Sequence, residues 1–337
     1  MKIVISSNPP EFKIPGQVVN RPVDVIALGS LLMERIVQID GWPMPGGQDT
    51  IPIQKVTDTA GGCAMNVACF IGRMGGRAAV LSPIGDGDYA KTARKELIRS
   101  RVDLSYLIEY PQKVGSMIMI LTNPDGGWAA LDYVDTELRI RMIDLPNVKK
   151  FSNSKVLHVD GFSFLTVSDE DVVLEAVRRA KQAGCLVSVD ASVPAAKKKP
   201  AFLKRLFQEA NILFANQFEA MAVSGANSLE EAVQGLREMQ REVCVVKAGI
   251  DGSYIFTQTE TGFVPTYQVE VVDTVAAGDA YVAATLLGLC RGMPLMQAAK
   301  RGSAAGGLAC LGHGSLSSFF TDAEIDQLIR RGFKHNG

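Results

Sequence analysis

Histidine is scarce in this 337-residue chain: His158, His313 and His335 are the only three, and none stands at metal-ligand spacing, which argues against a zinc site. Neither sign of charge dominates, with 35 basic against 36 acidic residues, so the electrostatic footprint of a nucleic-acid or membrane-surface binder is missing. A small-molecule ligand fits that balance better. No apolar run approaches the roughly 20 residues needed to cross a bilayer. The segment up to Arg21 is broken by Asn8-Pro9-Pro10 and is too short for a signal sequence, so a cytoplasmic location is expected. The six cysteines form no CxxC pair and read as buried thiols of a reducing compartment. Phosphate-binding and hydrolase signatures are absent as well: there is no GxxxxGK[ST], no GxGxxG after a strand, no HExxH and no GxSxG.

Apolar residues are plentiful, at 47% of the chain, enough for a large core. After a proline-rich arm, the run Val23 to Leu28 predicts a buried strand ending at Gly29-Ser30. Glu34 to Asp40, Thr50 to Val56, Ser116 to Thr122 and Trp128 to Val134 instead alternate apolar and polar residues. They predict four half-exposed strands, a small separate sheet inserted in two pieces, with turns at Gly41 to Gly47 and Asn123 to Gly126. Ala64 to Met74 and Tyr89 to Ser100 predict helices flanking a strand at Ala78 to Pro83. From Lys155 onward strands and helices alternate regularly: strands at 156–159, 186–190, 212–215 and 243–247 are separated by helices at 169–183, 202–209, 219–223 and 229–240. Such alternation predicts a parallel sheet covered on both faces, with ligands at the strand C-terminal ends. Lys197-Lys198-Lys199 reads as a solvated loop, and 322–331 as a terminal amphipathic helix.

Chemistry concentrates in Val271 to Tyr281. The apolar run Val269 to Val272 predicts a strand, Ala276, Ala277 and Gly278 a tight turn, and Ala280 onward a buried helix. Small side chains let turn N–H groups and a helix N-terminus approach an anion closely. Asp279 then stands in the helix's first turn, either as a plain dipole partner or as a general base beside an anion hole. Gly61-Gly62 before a helix carrying Asn66 lets backbone approach a polyol. Asn216 and Glu219 have the spacing of a helix capping box, and Lys247-Ala248-Gly249-Ile250-Asp251-Gly252 is a strand-to-turn junction.

In this order the pieces resemble the ribokinase-like (PfkB) carbohydrate and nucleoside kinases, over about Val23 to Ile329. Asp273-Thr274-Val275-Ala276-Ala277-Gly278-Asp279 is similar to that family's Asp-Thr-Thr-Gly-Ala-Gly-Asp signature, with Ala276 in place of the commoner glycine. The resemblance implies a three-layer α/β/α sandwich with a mostly parallel central sheet and a small β-sheet lid. It implies Asp279 as catalytic base, anion-hole N–H groups from Ala276, Ala277 and Gly278, and sugar contacts from Gly61, Gly62 and Asn66. It further implies Asn216 and Glu219 acting on Mg²⁺ through water, Lys247, Gly249 and Gly252 at the nucleotide, and Asp273 with Gly312 to Ser318 at a K⁺ site.

Domain bounds follow: an N-terminal extension at 1–22, a main kinase domain at 23–33, 59–112 and 136–337, and a lid at 34–58 and 113–135. Two positions depart from the pattern. Glu34 stands where the family has a sugar-binding Asp, and Ala191-Ser192-Val193 replaces the Arg often found after the strand-end acid, here Asp190. The expected activity is ATP- and Mg²⁺-dependent phosphorylation of a sugar hydroxyl, by a homodimer joined through the lid. A nucleoside kinase on the same scaffold and a non-catalytic sugar-binding regulator are the alternatives.

Overall fold

The computed structural model describes residues 3–42, 46–47, 50–123, 128–239 and 241–332. Its strands are β1 (Val23–Leu28), β2 (Leu32–Ile39), β3 (Ile53–Gly61), β4 (Ala78–Leu81), β5 (Pro83–Ile84), β6 (Ile108–Glu109), β7 (Met117–Thr122) and β8 (Trp128–Tyr133). They continue as β9 (Ser154–Val159), β10 (Leu186–Asp190), β11 (Ile212–Asn216), β12 (Val243–Lys247), β13 (Ser253–Phe256) and β14 (Thr261–Val264). Eight of them form one sheet in the order β14-β13-β12-β11-β10-β9-β1-β4, parallel from β12 to β4 and closed at the other end by the antiparallel pair β13 and β14.

The central strands are apolar on both faces because both are covered. In β1, Val25 and Ala27 enter one core while Ile26 and Leu28 enter the other. The first core is packed by α2 (Cys63–Arg73), α3 (Asp88–Arg99), α11 (Ala277–Cys290), α12 (Leu295–Ala309) and α13 (Asp322–Arg331), together with the short α1 (Gly16–Val19). The second is packed by α4 (Val148–Phe151), α5 (Ser163–Thr166), α6 (Glu170–Gln182), α7 (Val193–Lys198), α8 (Pro200–Glu209), α9 (Gln217–Ser224) and α10 (Leu229–Glu238). This is the expected three-layer sandwich. From Asp279 to Cys290 every residue of α11 is buried, the signature of a helix that is apolar all round.

A second sheet, in the order β3-β2-β7-β8, is the expected small one. Its strands β2 and β3 run further toward the main sheet than alternation suggested, so that β3 ends on the glycine pair itself. The turn residues expected at 43–45 and 124–126 lie outside the described residues.

Three expectations need correction, and one hairpin was missed. Val269 to Val272 is no strand: the main sheet ends at β14, and the N–H groups of Val272 and Asp273 turn instead to the Cys310 carbonyl at the end of α12 (2.8 and 3.3 Å). Three valines, Val269, Val271 and Val272, favour extended backbone, but among the described residues no neighbouring strand pairs them. The hairpin β13–β14 was hidden because its strands have only four residues each. Lys197 and Lys198 are not loop but the last turn of α7, which Ser192 caps by accepting from the Ala195 N–H, and where cations complement the helix dipole. Finally, the strand expected from Ala78 to Pro83 breaks at Ser82, and Pro83–Ile84 pairs separately with β6.

Candidate active site

Parallel strands deliver their C-terminal ends to one edge of a sheet. Here the adjacent strands β1, β9, β10, β11 and β12 end at or just before Ser30, Asp160, Asp190, Asn216 and Lys247, all polar, after runs that are almost wholly buried and apolar. The N-termini of α2 and α11 meet at this edge.

Ala276 caps α11 in the left-handed region, at φ 59°. A residue with a Cβ loses roughly 1–2 kcal/mol there, which is why glycine is the commoner choice. The backbone still makes a curled turn, within which the Ala277 N–H donates to the Thr274 carbonyl at 3.3 Å. Asp273 fixes the turn from behind, its two oxygens accepting from the N–H groups of Val275 (3.0 Å) and Gly314 (2.8 Å). Above Gly278 the space is open: a Cβ there would meet only the Lys247 Nζ, at 3.5 Å.

Asp279 is buried in the first turn of α11, and its Oδ2 accepts from the Asn66 Nδ2 at 2.8 Å. Burial pushes its carboxyl up to about 7, against the Asn66 hydrogen bond, with repulsion from Asp190 adding to the rise. Asn66 belongs to α2, and its other polar atom, Oδ1, is buried with no partner. A buried acceptor left open beside a carboxylate of raised proton affinity can receive two neighbouring hydroxyls of one molecule: one O–H donates to Asn66 Oδ1, and the other donates to Asp279, which can take that proton.

The glycines before α2 are required by close approach. A Cβ on Gly61 would lie 2.0 Å from the Glu34 Oε1, and one on Gly62 would lie 2.5 Å from the Ser30 carbonyl oxygen. Glu34 itself is buried, not solvent-facing. Its carboxylate accepts from the Ser315 hydroxyl and, at 3.4 Å, from the Ser315 N–H; burial raises its proton affinity. The loop 312–318 therefore touches both Glu34 and Asp273.

On the other side, Lys247 Nζ bonds both oxygens of Asp190, at 2.8 and 3.0 Å. Asn216 and Glu219 form a reciprocal capping box at 2.6 and 2.9 Å, so their spacing has its helical explanation. Glu219 is nonetheless pushed up to about 7 by burial and by Asp190. Gly249 and Gly252 both adopt positive φ in the β12–β13 turn, beside Ile250, which is 89% exposed. They shape the hairpin directly after Lys247, which the Ala248 N–H closes by donating to the Gly252 carbonyl at 2.8 Å. Trp42 is 39% exposed, and the side chain of Trp128 lies outside the described residues.

Residues 24–322 match the profile of the pfkB family of carbohydrate kinases. The chain belongs to this family. Like other pfkB carbohydrate kinases it is a phosphotransferase acting on a hydroxyl group. It is 24% identical over 321 residues to fructokinase-1 of Zea mays, covering 91% of this chain and 98% of that one. It is 26% identical over 320 residues to 5-dehydro-2-deoxygluconokinase of Shouchella clausii, covering 91% and 95%. In fold, it is similar to the Arabidopsis thaliana ribokinase complexed with ribose and ATP, with a TM-score of 0.79, 19% identity and coverage of 92% and 99%.

One residue of this pfkB kinase's site escaped the sequence. Asp160, just past β9 and 1% exposed, accepts from the Ser30 N–H (2.7 Å), the Ser30 hydroxyl (3.2 Å) and the Phe162 N–H (2.8 Å). It ties the end of β1 to the end of β9. The signal is in the sequence: an apolar strand ends in an acid followed by Gly161, the same texture as at Asp190.

Proposed function

We propose that this kinase transfers the γ-phosphate of ATP to a hydroxyl of an uncharged sugar, with Asp279 as general base. The observation that carries the proposal is the Asn66–Asp279 pair, one acceptor open and one carboxyl poised near neutrality, at the mouth of the small-residue turn Ala276 to Gly278. The turn fits a nucleotide's terminal phosphate, since a left-handed residue at a helix N-terminus presents N–H groups and no Cβ blocks Gly278. Among the described residues no cluster of three His, Cys, Asp or Glu could hold a metal ion. Mg²⁺ needs none, because it binds through phosphates and one or two carboxylates, here Glu219 with Asn216 beside it. MgATP brings the phosphoryl group and most of the charge neutralisation.

The protein's own part is alignment. Asn66 and Asp279 orient the acceptor hydroxyl, Asp279 takes its proton, and the turn's N–H groups hold the charge that spreads over the transferring group. The lid sheet, reaching the site through Glu34 and Gly61, excludes water. A K⁺ beside Asp273 belongs to the same reading, because each Asp273 oxygen donates only one lone pair to the bonds described. Six free thiols suit the cytoplasm.

Charge supports an uncharged acceptor such as fructose over a sugar acid. Glu34, Asp160, Asp190, Glu219 and Asp279 line the site with one ammonium, Lys247, already paired. The lid residues outside the description add no cation either. A coupled ADP-release assay over neutral hexoses, pentoses, sugar acids and nucleosides, with potassium or tetramethylammonium as counter-ion, tests these statements together. Neutral sugars should turn over, and Asp279→Asn should lower kcat by roughly 10²- to 10⁴-fold. Full turnover by folded Asp279→Asn would remove the base, and preference for a nucleoside or an acid would remove the substrate class.

A further inference from the structure

Lys247 is the only cationic side chain among the site residues just described, and its place is unusual for a simple ion pair. It ends β12, yet its ammonium reaches past β11 to the end of β10, where both of its hydrogen bonds go to Asp190. On the way it stands over the turn at the head of α11, 3.5 Å from where a Gly278 Cβ would be. An ammonium has three N–H donors, so one is left after Asp190 has taken two. The open volume above Gly278 is where the turn's N–H groups would hold a phosphate. The ammonium borders it.

We propose that Lys247 contacts the transferring phosphoryl group of ATP through this third donor, with Asp190 as the anchor that aims the ammonium. The proposal rests on the kinase reading above and, beyond the general place at the nucleotide that the family resemblance gives Lys247, assigns its ammonium to the terminal phosphate and Asp190 to its aim. Phosphoryl transfer spreads negative charge over the equatorial oxygens, and a full positive charge in a site shielded from water counters it better than N–H dipoles alone. Without such a cation, the terminal phosphate would face Asp190, Glu219 and Asp279 with only the turn and Mg²⁺ to offset them. Asp190 explains how the chain keeps a charged lysine there before nucleotide arrives: the pair is hydrogen-bonded at both oxygens, so neither charge is buried alone.

A lysine that merely neutralised Asp190 would predict different behaviour, and nucleotides that differ by one phosphate separate the two cases. Titration calorimetry with Mg·AMP-PNP and Mg·ADP, on wild type, Lys247→Met, Asp190→Asn and the double variant, needs no identified sugar. Loss of a charge-assisted contact to the terminal phosphate should weaken AMP-PNP by roughly 10- to 100-fold and ADP by less than about threefold. The same difference should separate the double variant from Asp190→Asn, which keeps the test alive if Lys247→Met alone does not fold. Equal loss for both nucleotides, no loss, or AMP-PNP affinity regained in the double variant would overturn the proposal. Wild type binding neither nucleotide would overturn the kinase reading itself, and the proposal with it.

Discussion

Asp279 is asked to be a base in a place that resists its charge. Burial holds the carboxyl near 7 rather than 3.8, so the folded protein takes up the proton more readily than the unfolded chain does. The stability this gives is complete below about pH 4 and is lost as pH rises through about 7. Two consequences follow for the unliganded enzyme. The rate kcat/KM should fall on the acid side with a midpoint near pH 7, since only the ionised carboxylate accepts the hydroxyl proton. Asp279→Asn should be stabilised relative to wild type at pH 8 and much less at pH 5, by no more than about 4 kcal/mol. Thermal unfolding at the two pH values checks this, and an equal shift at both would refute it. At this scale the sequence was informative where residue type and spacing carry the chemistry, as at Asp279 and Asn66. It was silent on Asp160 and on the Glu34–Ser315 contact, because those depend on which strand ends and loops come to lie side by side.

Among the elements, the loop 312–318 joins parts that are far apart in the chain. It donates to Asp273 behind the turn that leads into α11 and to Glu34 on β2 of the small sheet, and it is held from below by Arg73 of α2. That guanidinium is fully buried, pairs with Glu96 at 2.6 Å, bonds the carbonyls of Leu316 and Ser318, and lies against Phe319. Arg73→Met leaves two carbonyls without their donor and Glu96 with only the Ser100 hydroxyl and a 3.5 Å contact to Arg99, and should cost about 3 kcal/mol. Arg73→Lys should rescue little, because a point charge cannot replace a planar fork of five donors. Denaturant unfolding measures both, and a loss below about 1 kcal/mol for Arg73→Met would show that the loop stands without it. Long periodic helices such as α6 and the buried strands β10 and β12 were legible, since hydrophobic period and length agree there. Val269 to Val272 was not, because extended residues become a strand only beside a partner.

On the scale of the molecule, the lid sheet presents an apolar hollow of about 350 Å³ on one face, lined by Val37, Ile39, Ile53, Val56, Met119 and Leu121. Ile53 and Val56 are about half exposed or more, at 58% and 49%. A second lid covering this face would make the homodimer expected from the sequence. Sedimentation should then show a dimer that Val56→Asp converts to monomer, and a monomeric wild type at micromolar concentration would exclude it. Elsewhere the molecule seals an edge for itself. The arm before β1 pairs Ser6 with Thr261 of β14, at 2.9 and 2.8 Å, and sets Pro10 against Gly262. Its two partners are 255 residues apart. On a ribosome adding 5–20 residues per second, the arm therefore waits on the order of ten to fifty seconds for the strand it covers. Made 255 residues ahead of its partner, the arm is one of the last parts that can dock, and until then the end of the growing sheet is open to any other nascent chain nearby.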